Sequence, residues 1–150
     1  MLSASSHLTS RVATRDPART RHMSTTGLLA LLVTFSAGIH AALVPEHLKE
    51  MPPLGYAFIA AAAIGCVLAC GLISCPDDPR LPLLAGLFCV GQIAAWVLCV
   101  AVPVPGLSGT PEGIETSALV SKAAELAAVA LALPLALARR PPSASTTSAP

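Results

Sequence analysis

Residues 54–74 read LGYAFIAAAAIGCVLACGLIS and contain no Asp, Glu, Lys or Arg. As an α-helix, a stretch of this length rises about 1.5 Å per residue and matches a hydrocarbon core about 30 Å thick. Lipid offers nothing to an unpaired N–H or C=O, so such a segment must satisfy its backbone internally, as a helix does. It also carries small residues at spacing four, namely Ala57, Ala61, Gly65 and Ala69. They form a ridge on one helical face, and a ridge of that kind lets a second helix approach closely in lipid.

Three further apolar runs flank this one. Residues 27–44, GLLALLVTFSAGIHAALV, form the first, and PEHLKEMPP (45–53) separates them. The prolines of that connection predict an end to the first helix and a start for the second. On the other side, CPDDPR leads into residues 81–102, with Pro82 in the first turn, where its missing N–H costs nothing. PVPGLSGTPEGIE (103–115) then leads into residues 116–138, a run interrupted by Lys122, Glu125 and Pro134. The third run offers Gly91 with Ala95 for close packing, and the fourth offers Ala124, Ala128, Ala132 and Ala136. The expected fold is all-α: a four-helix transmembrane bundle, up-down-up-down, with helices at 27–44, 54–74, 81–102 and 116–138.

The ends of the chain differ in character. Residues 1–26 are polar and basic, with Arg11, Arg15, Arg19 and Arg21, and are expected to be disordered. Met23 is an alternative start, since MSTTGLLALLV reads as a membrane-protein beginning. A basic segment before an apolar run also describes a signal peptide. The run is long and no A-x-A site precedes Pro45, so retention is expected. Residues 139–150, RRPPSASTTSAP, are expected to be a disordered tail.

Composition agrees with a membrane solvent. The 150 residues are 54% hydrophobic but only 11% charged, against about 25% charged in an ordinary soluble domain. Net charge is +1 and aromatics are 3%, which leaves neither the field nor the stacking surfaces of a nucleic-acid binder. Lys and Arg cluster before the first run, in CPDDPR and after the fourth, while the other two connections hold Lys49 alone. The positive-inside bias then puts both termini in the cytoplasm and the PEHLKEMPP and PVPGLSGTPEGIE loops outside. Alanine, leucine, proline and arginine usage suits a high-GC bacterium and hence its plasma membrane.

Polar residues at membrane depth are the candidate site, because a charge there costs at least about 2.5–3.5 kcal/mol and seeks the bundle interior. His40 lies one turn inside the outer end of the first run, and Glu46 and His47 follow it. Lys122 and Glu125 share a helical face, as do Gln92 and Trp96. Counted from the outer ends, Glu125 and Gln92 lie about 14 Å and 15 Å deep, and Lys122 and Trp96 about 9 Å.

One reading is an outward-facing transition-metal site on His40, Glu46 and His47, with help from Glu112 or Glu115, whose imidazole and carboxylate groups suit zinc, copper or iron. A second is a small transporter or channel subunit that uses Glu125 and Lys122. The plainer reading makes Lys122 and Glu125 an internal ion pair and places Glu112 and Glu115 at a helix N-terminus. A role as assembly partner of a larger membrane complex, or as a homo-oligomer, needs no internal site.

Cys66 and Cys70 share a face and Cys75 follows. An odd count of five cysteines in apolar runs is not a disulfide framework, and core packing is the expected role. The chain has no G-x-S-x-G, P-loop or G-x-G-x-x-G, so no enzyme is expected and no cofactor is required.

GIHAALVPEHLKEMPPLGYAFI, the GLISCPDDP turn and the acidic loop running into E-T-x-A-L-V-x-K-A-A-E-L resemble a group of small four-helix membrane proteins of actinobacterial type. The resemblance covers roughly residues 27–140 and rests on His40, His47 and the Glu125 helix. It implies the four-helix fold and brings no activity with it.

Overall fold

The structure is a computed structural model that describes residues 17–101 and 115–138, with side chains from residue 24 onward. Among these residues there are four helices and no strand: α1 (Pro17–Glu50), α2 (Pro52–Ser74), α3 (Arg80–Ala101) and α4 (Thr116–Ala138). All four are long and apolar enough to cross a membrane, α1 through its Ser24–Glu50 portion. The described residues are thus all-helical, with the makings of a multi-pass membrane bundle. Residues 1–16, most of the third connection including Glu112, and the tail from 139 lie outside the described residues.

Three of the expected helices agree with the structure to within two residues at each end. The first does not. Residues 17–26, expected to be disordered, are helical. At the other end Pro45 does not end α1, which continues to Glu50. A proline removes one i→i−4 hydrogen bond, and the loss at one position is survivable when the flanking turns are anchored. Here Met51 N–H still donates to His47 C=O at 2.8 Å, beyond the proline. The expected nine-residue loop therefore shrinks to Met51, whose carbonyl accepts from the N–H groups of both Leu54 and Gly55.

So short a link presses α2 onto α1. A Cβ on Gly55 would stand 2.7 Å from the Leu48 backbone nitrogen. Since backbone cannot swing aside as a side chain can, Gly55→Ala is expected to destabilise the bundle by overpacking, by about 1–3 kcal/mol. Unfolding by dodecyl sulfate in bicelles measures this.

The α2–α3 link is a turn in which Asp78 N–H donates to Cys75 C=O at 3.1 Å and the Asp78 carboxylate accepts from Arg80 N–H at 2.9 Å, starting α3. Pro82 is buried near the start of α3, as its position predicts.

Packing follows the rule for lipid rather than for water. Large apolar side chains such as Leu31, Val67, Ile73 and Leu133 face outward. Small and polar ones face inward, together with a few larger ones such as Leu29, Val33 and Leu72. α1 packs most extensively on α2 and α3 on α4, with α1 against α4 joining the two pairs. Ala61, Gly65 and Ala69 of the α2 ridge are buried, while Ala57 is exposed. Ala124, Ala128 and Ala132 of α4 are buried, with Ala136 partly so.

The Gly91–Ala95 pair is exposed and nothing lies near Gly91. α3 instead packs through Pro82, Ala85, Gly86 and Cys89, in its first half. An apolar core of Leu29, Val33, Leu72, Ala85, Cys89, Ala128 and Leu135 is drawn from the first part of α1, the end of α2, the start of α3 and the later part of α4. The remaining halves of the helices hold Ser36, His40, Ser121, Lys122 and Glu125.

Candidate functional site

Glu125 is 1% exposed and belongs to a set of polar groups from three helices. Ser36 of α1 donates to Glu125 Oε1 at 2.7 Å, and Ser121, one turn before Glu125 in α4, donates to the same oxygen at 3.0 Å. The two hydroxyls are 3.2 Å apart. Glu125 Oε2 accepts from Lys122 Nζ at 2.6 Å, an ion pair between residues three apart on α4. Lys122 Nζ also donates to the backbone carbonyl of Gln92 at 3.3 Å, which brings in α3. Both carboxylate oxygens are therefore engaged, the condition under which a buried charge is tolerated.

The network reaches His40 by two routes. His40 Nδ1 lies 2.8 Å from the Ser36 carbonyl. A carbonyl only accepts, so Nδ1 carries the hydrogen, and in the neutral ring Nε2 is then an acceptor. Gln92 Nε2 approaches that acceptor at 3.5 Å. The ring of Phe58, from α2, meets the His40 ring edge-on with centroids 5.3 Å apart, and tilts against His47 at 4.5 Å. Phe58 thus sits between two imidazoles two helical turns apart on α1. His47 Nδ1 donates to the Leu43 carbonyl at 3.0 Å.

Two adjoining cavities lie over this network. The inner one, about 90 Å³, is bordered by His40, Phe58, Gln92, Trp96, Ser121 and Lys122, so every helix contributes. The outer one, about 160 Å³, reaches His47, Glu50, Met51, Glu115 and Ser117. Leu43, Phe58, Trp96 and Ala118 line both. The inner cavity has apolar and aromatic walls with its polar groups gathered at the floor, whereas polar groups border much of the outer one.

Sequence reasoning finds Gln92, Trp96, Lys122, Glu125 and His40 together, and the structure brings all five to this region. The depth match needs adjustment: Lys122 reaches the Gln92 backbone, while the Gln92 side chain turns to His40.

The His40–Glu46–His47 metal grouping is not assembled. Glu46 is exposed, Phe58 stands between the two histidines, and each Nδ1 is tied to its own helix. Among the described residues no three His, Cys, Asp or Glu side chains are placed to hold a metal ion. Glu115 is exposed immediately before α4, where Ser117 Oγ donates to its carboxylate at 3.2 Å. Of the cysteines only Cys89 is a core residue. Cys66, Cys70 and Cys75 are exposed and Cys99 lines the inner cavity, so core packing does not account for the group.

Ser36, Ser121 and Phe58 are the site residues that sequence reasoning misses. A signal was available for the serines, since each stands four residues before a polar group on its own face: Ser36 before His40 and Ser121 before Glu125.

No family model matches the chain, and neither the curated proteins nor the solved structures contain a match to it.

Proposed function

We propose that the chain is a non-enzymatic accessory protein of a bacterial plasma membrane. Its four spans run up-down-up-down with both termini cytoplasmic, and it offers a small-molecule pocket to the outer side. The observation that carries this reading is the convergence of His40, Phe58, Gln92, Trp96 and Lys122, from all four helices, on one cavity. The Lys122–Glu125 pair holds the floor of that cavity in place.

The alternation of spans is supported by the core, which joins the start of α1 to the end of α2, the start of α3 and the end of α4. The outward opening is supported by charge. The cavities lie toward Met51 and Glu115, in the connections with least Lys and Arg.

Binding is favoured over passage, because beyond Glu125 the bundle interior is filled by Leu29, Val33, Cys89, Ala128 and Ala132. Catalysis is disfavoured at the floor because both oxygens of Glu125 are already engaged.

Thiol labelling tests the orientation. Cys75 is exposed in the α2–α3 turn. In a chain with the other four cysteines changed to alanine, a membrane-impermeant maleimide is expected to leave Cys75 unmodified in intact spheroplasts and to modify it after permeabilisation. Glu115→Cys in a cysteine-free chain is expected to show the reverse, reacting from outside at once. Labelling of Cys75 in intact spheroplasts would overturn the orientation.

A further inference from the structure

The chemistry of the pocket narrows its ligand. The floor carries no net charge, since the Lys122 ammonium and the Glu125 carboxylate cancel at 2.6 Å and His40 accepts at Nε2 from the Gln92 amide, which only the neutral ring can do. A charged guest at this depth would find no unbalanced partner and would bear the full cost of leaving water.

The floor does offer donors. An ammonium has three N–H groups, and Lys122 commits one to Glu125 and one to the Gln92 carbonyl. A side-chain amide has two, and Gln92 directs one toward His40. One N–H from each residue remains for an acceptor on the guest.

The walls include Phe58 and Trp96, whose rings pack well on another ring, offset or edge-to-face. Size sets the last limit. The adjoining cavities measure about 90 Å³ and 160 Å³. An apolar cavity of about 150 Å³ holds benzene.

We infer that the pocket takes a neutral, single-ring, lipid-soluble carbonyl compound, with its ring between Phe58 and Trp96 and its oxygen on Gln92 and Lys122. This rests on the pocket reading above.

Trp96 is the sole tryptophan of the chain, so its emission reports on the pocket without interference from another indole. The probe is acetophenone, whose ketone quenches indole emission, titrated into the full chain in lipid nanodiscs. The expected result is a saturable quenching component on top of the linear one that partition into lipid produces. Ethylbenzene, which replaces the carbonyl with a methylene, should compete about tenfold more weakly, the worth of one net hydrogen bond.

Gln92→Leu removes the amide and leaves the backbone carbonyl that holds Lys122, and should weaken acetophenone by a similar factor. Ala118→Phe grows a ring into the space shared by both cavities while leaving Gln92 and Lys122 in place, and should abolish the saturable component.

Linear quenching of equal slope in the wild type and both variants would overturn the inference. So would ethylbenzene competing as well as acetophenone, since the carbonyl would then go unrecognised. Either result with the expected thiol labelling overturns the ligand class alone, whereas reversed labelling overturns the outward-facing reading itself.

Discussion

Lys122→Met is expected to destabilise the bundle by about 3–5 kcal/mol, the cost of leaving one member of a buried ion pair without the other. Glu125 would keep its two serine donors but lose the cation 2.6 Å away, at a position 1% exposed. α3 would lose a tie as well, because Lys122 also reaches the Gln92 carbonyl. Glu125→Leu should cost a similar amount for the opposite reason, leaving an ammonium at depth with the Gln92 carbonyl in place of its counter-ion.

The double variant Lys122→Met, Glu125→Leu is expected to be far milder than the sum of the two. Replacing a buried pair with apolar residues of similar volume is often neutral in water, and lipid raises the cost of an unpaired charge further. A double-mutant cycle by dodecyl-sulfate unfolding in bicelles should therefore give a coupling of at least about 2 kcal/mol, in the upper part of the range for residues in one network. Additive single effects would mean that Lys122 reaches the headgroups instead and that the pair does not close.

The legibility of this chain followed charge and length. The spans at 54–74 and 81–102 were readable because uncharged runs of that size have one stable form in lipid, and 116–138 because its apolar run carries no charge beyond Lys122 and Glu125. Lys122, Glu125 and Gln92 were readable as interior residues because the membrane makes their exposure costly. α1 was harder at both ends, for two separate reasons. Its first ten residues are polar, and helix propensity is too weak a signal to extend an apolar span into such a segment. Pro45 looks like a terminator from sequence, yet whether a helix survives one missing hydrogen bond depends on its neighbours. The continuation past Pro45 rests on the α1–α2 contact at Leu48 and Gly55, which is tertiary information. The same holds for His47. Its separation from His40 suited a shared ligand until a ring from another helix, Phe58, came between them.

Serines were overlooked because a hydroxyl costs little to bury and can bond to its own helix, so it announces nothing. Thr34 does this, donating to the Ala30 carbonyl at 2.8 Å. Ser36, two residues on, crosses to Glu125 instead. Side-chain chemistry alone does not separate the two, whereas helical phase does: Ser36 shares the face of His40 and Val33, and Thr34 points away from it. Polar atoms thus specify which helices meet, and small residues decide how closely.

That division of labour predicts a sharp contrast between two glycines. Gly65→Leu is expected to cost about 3 kcal/mol or more, at the upper end of what overpacking produces. Even a bare Cβ at Gly65 would stand 2.8 Å from the Ala37 Cβ, with the Val33 carbonyl oxygen at 3.7 Å behind it. Neither can rotate aside, because one is the only side-chain carbon of an alanine and the other is backbone. α1 and α2 would have to part. Parting them would strain the single-residue link at Met51 and pull His40 from the edge of Phe58.

Gly91→Leu is expected to change stability by no more than about 0.5 kcal/mol, the usual range for an exposed position. A Cβ there meets nothing within 4 Å. Both substitutions add the same atoms to a helical glycine, so helix propensity cancels in the comparison. Bicelle unfolding of the two variants side by side isolates the close approach of α1 and α2, and equal losses would mean that the Ala37–Gly65 contact does not hold the bundle together.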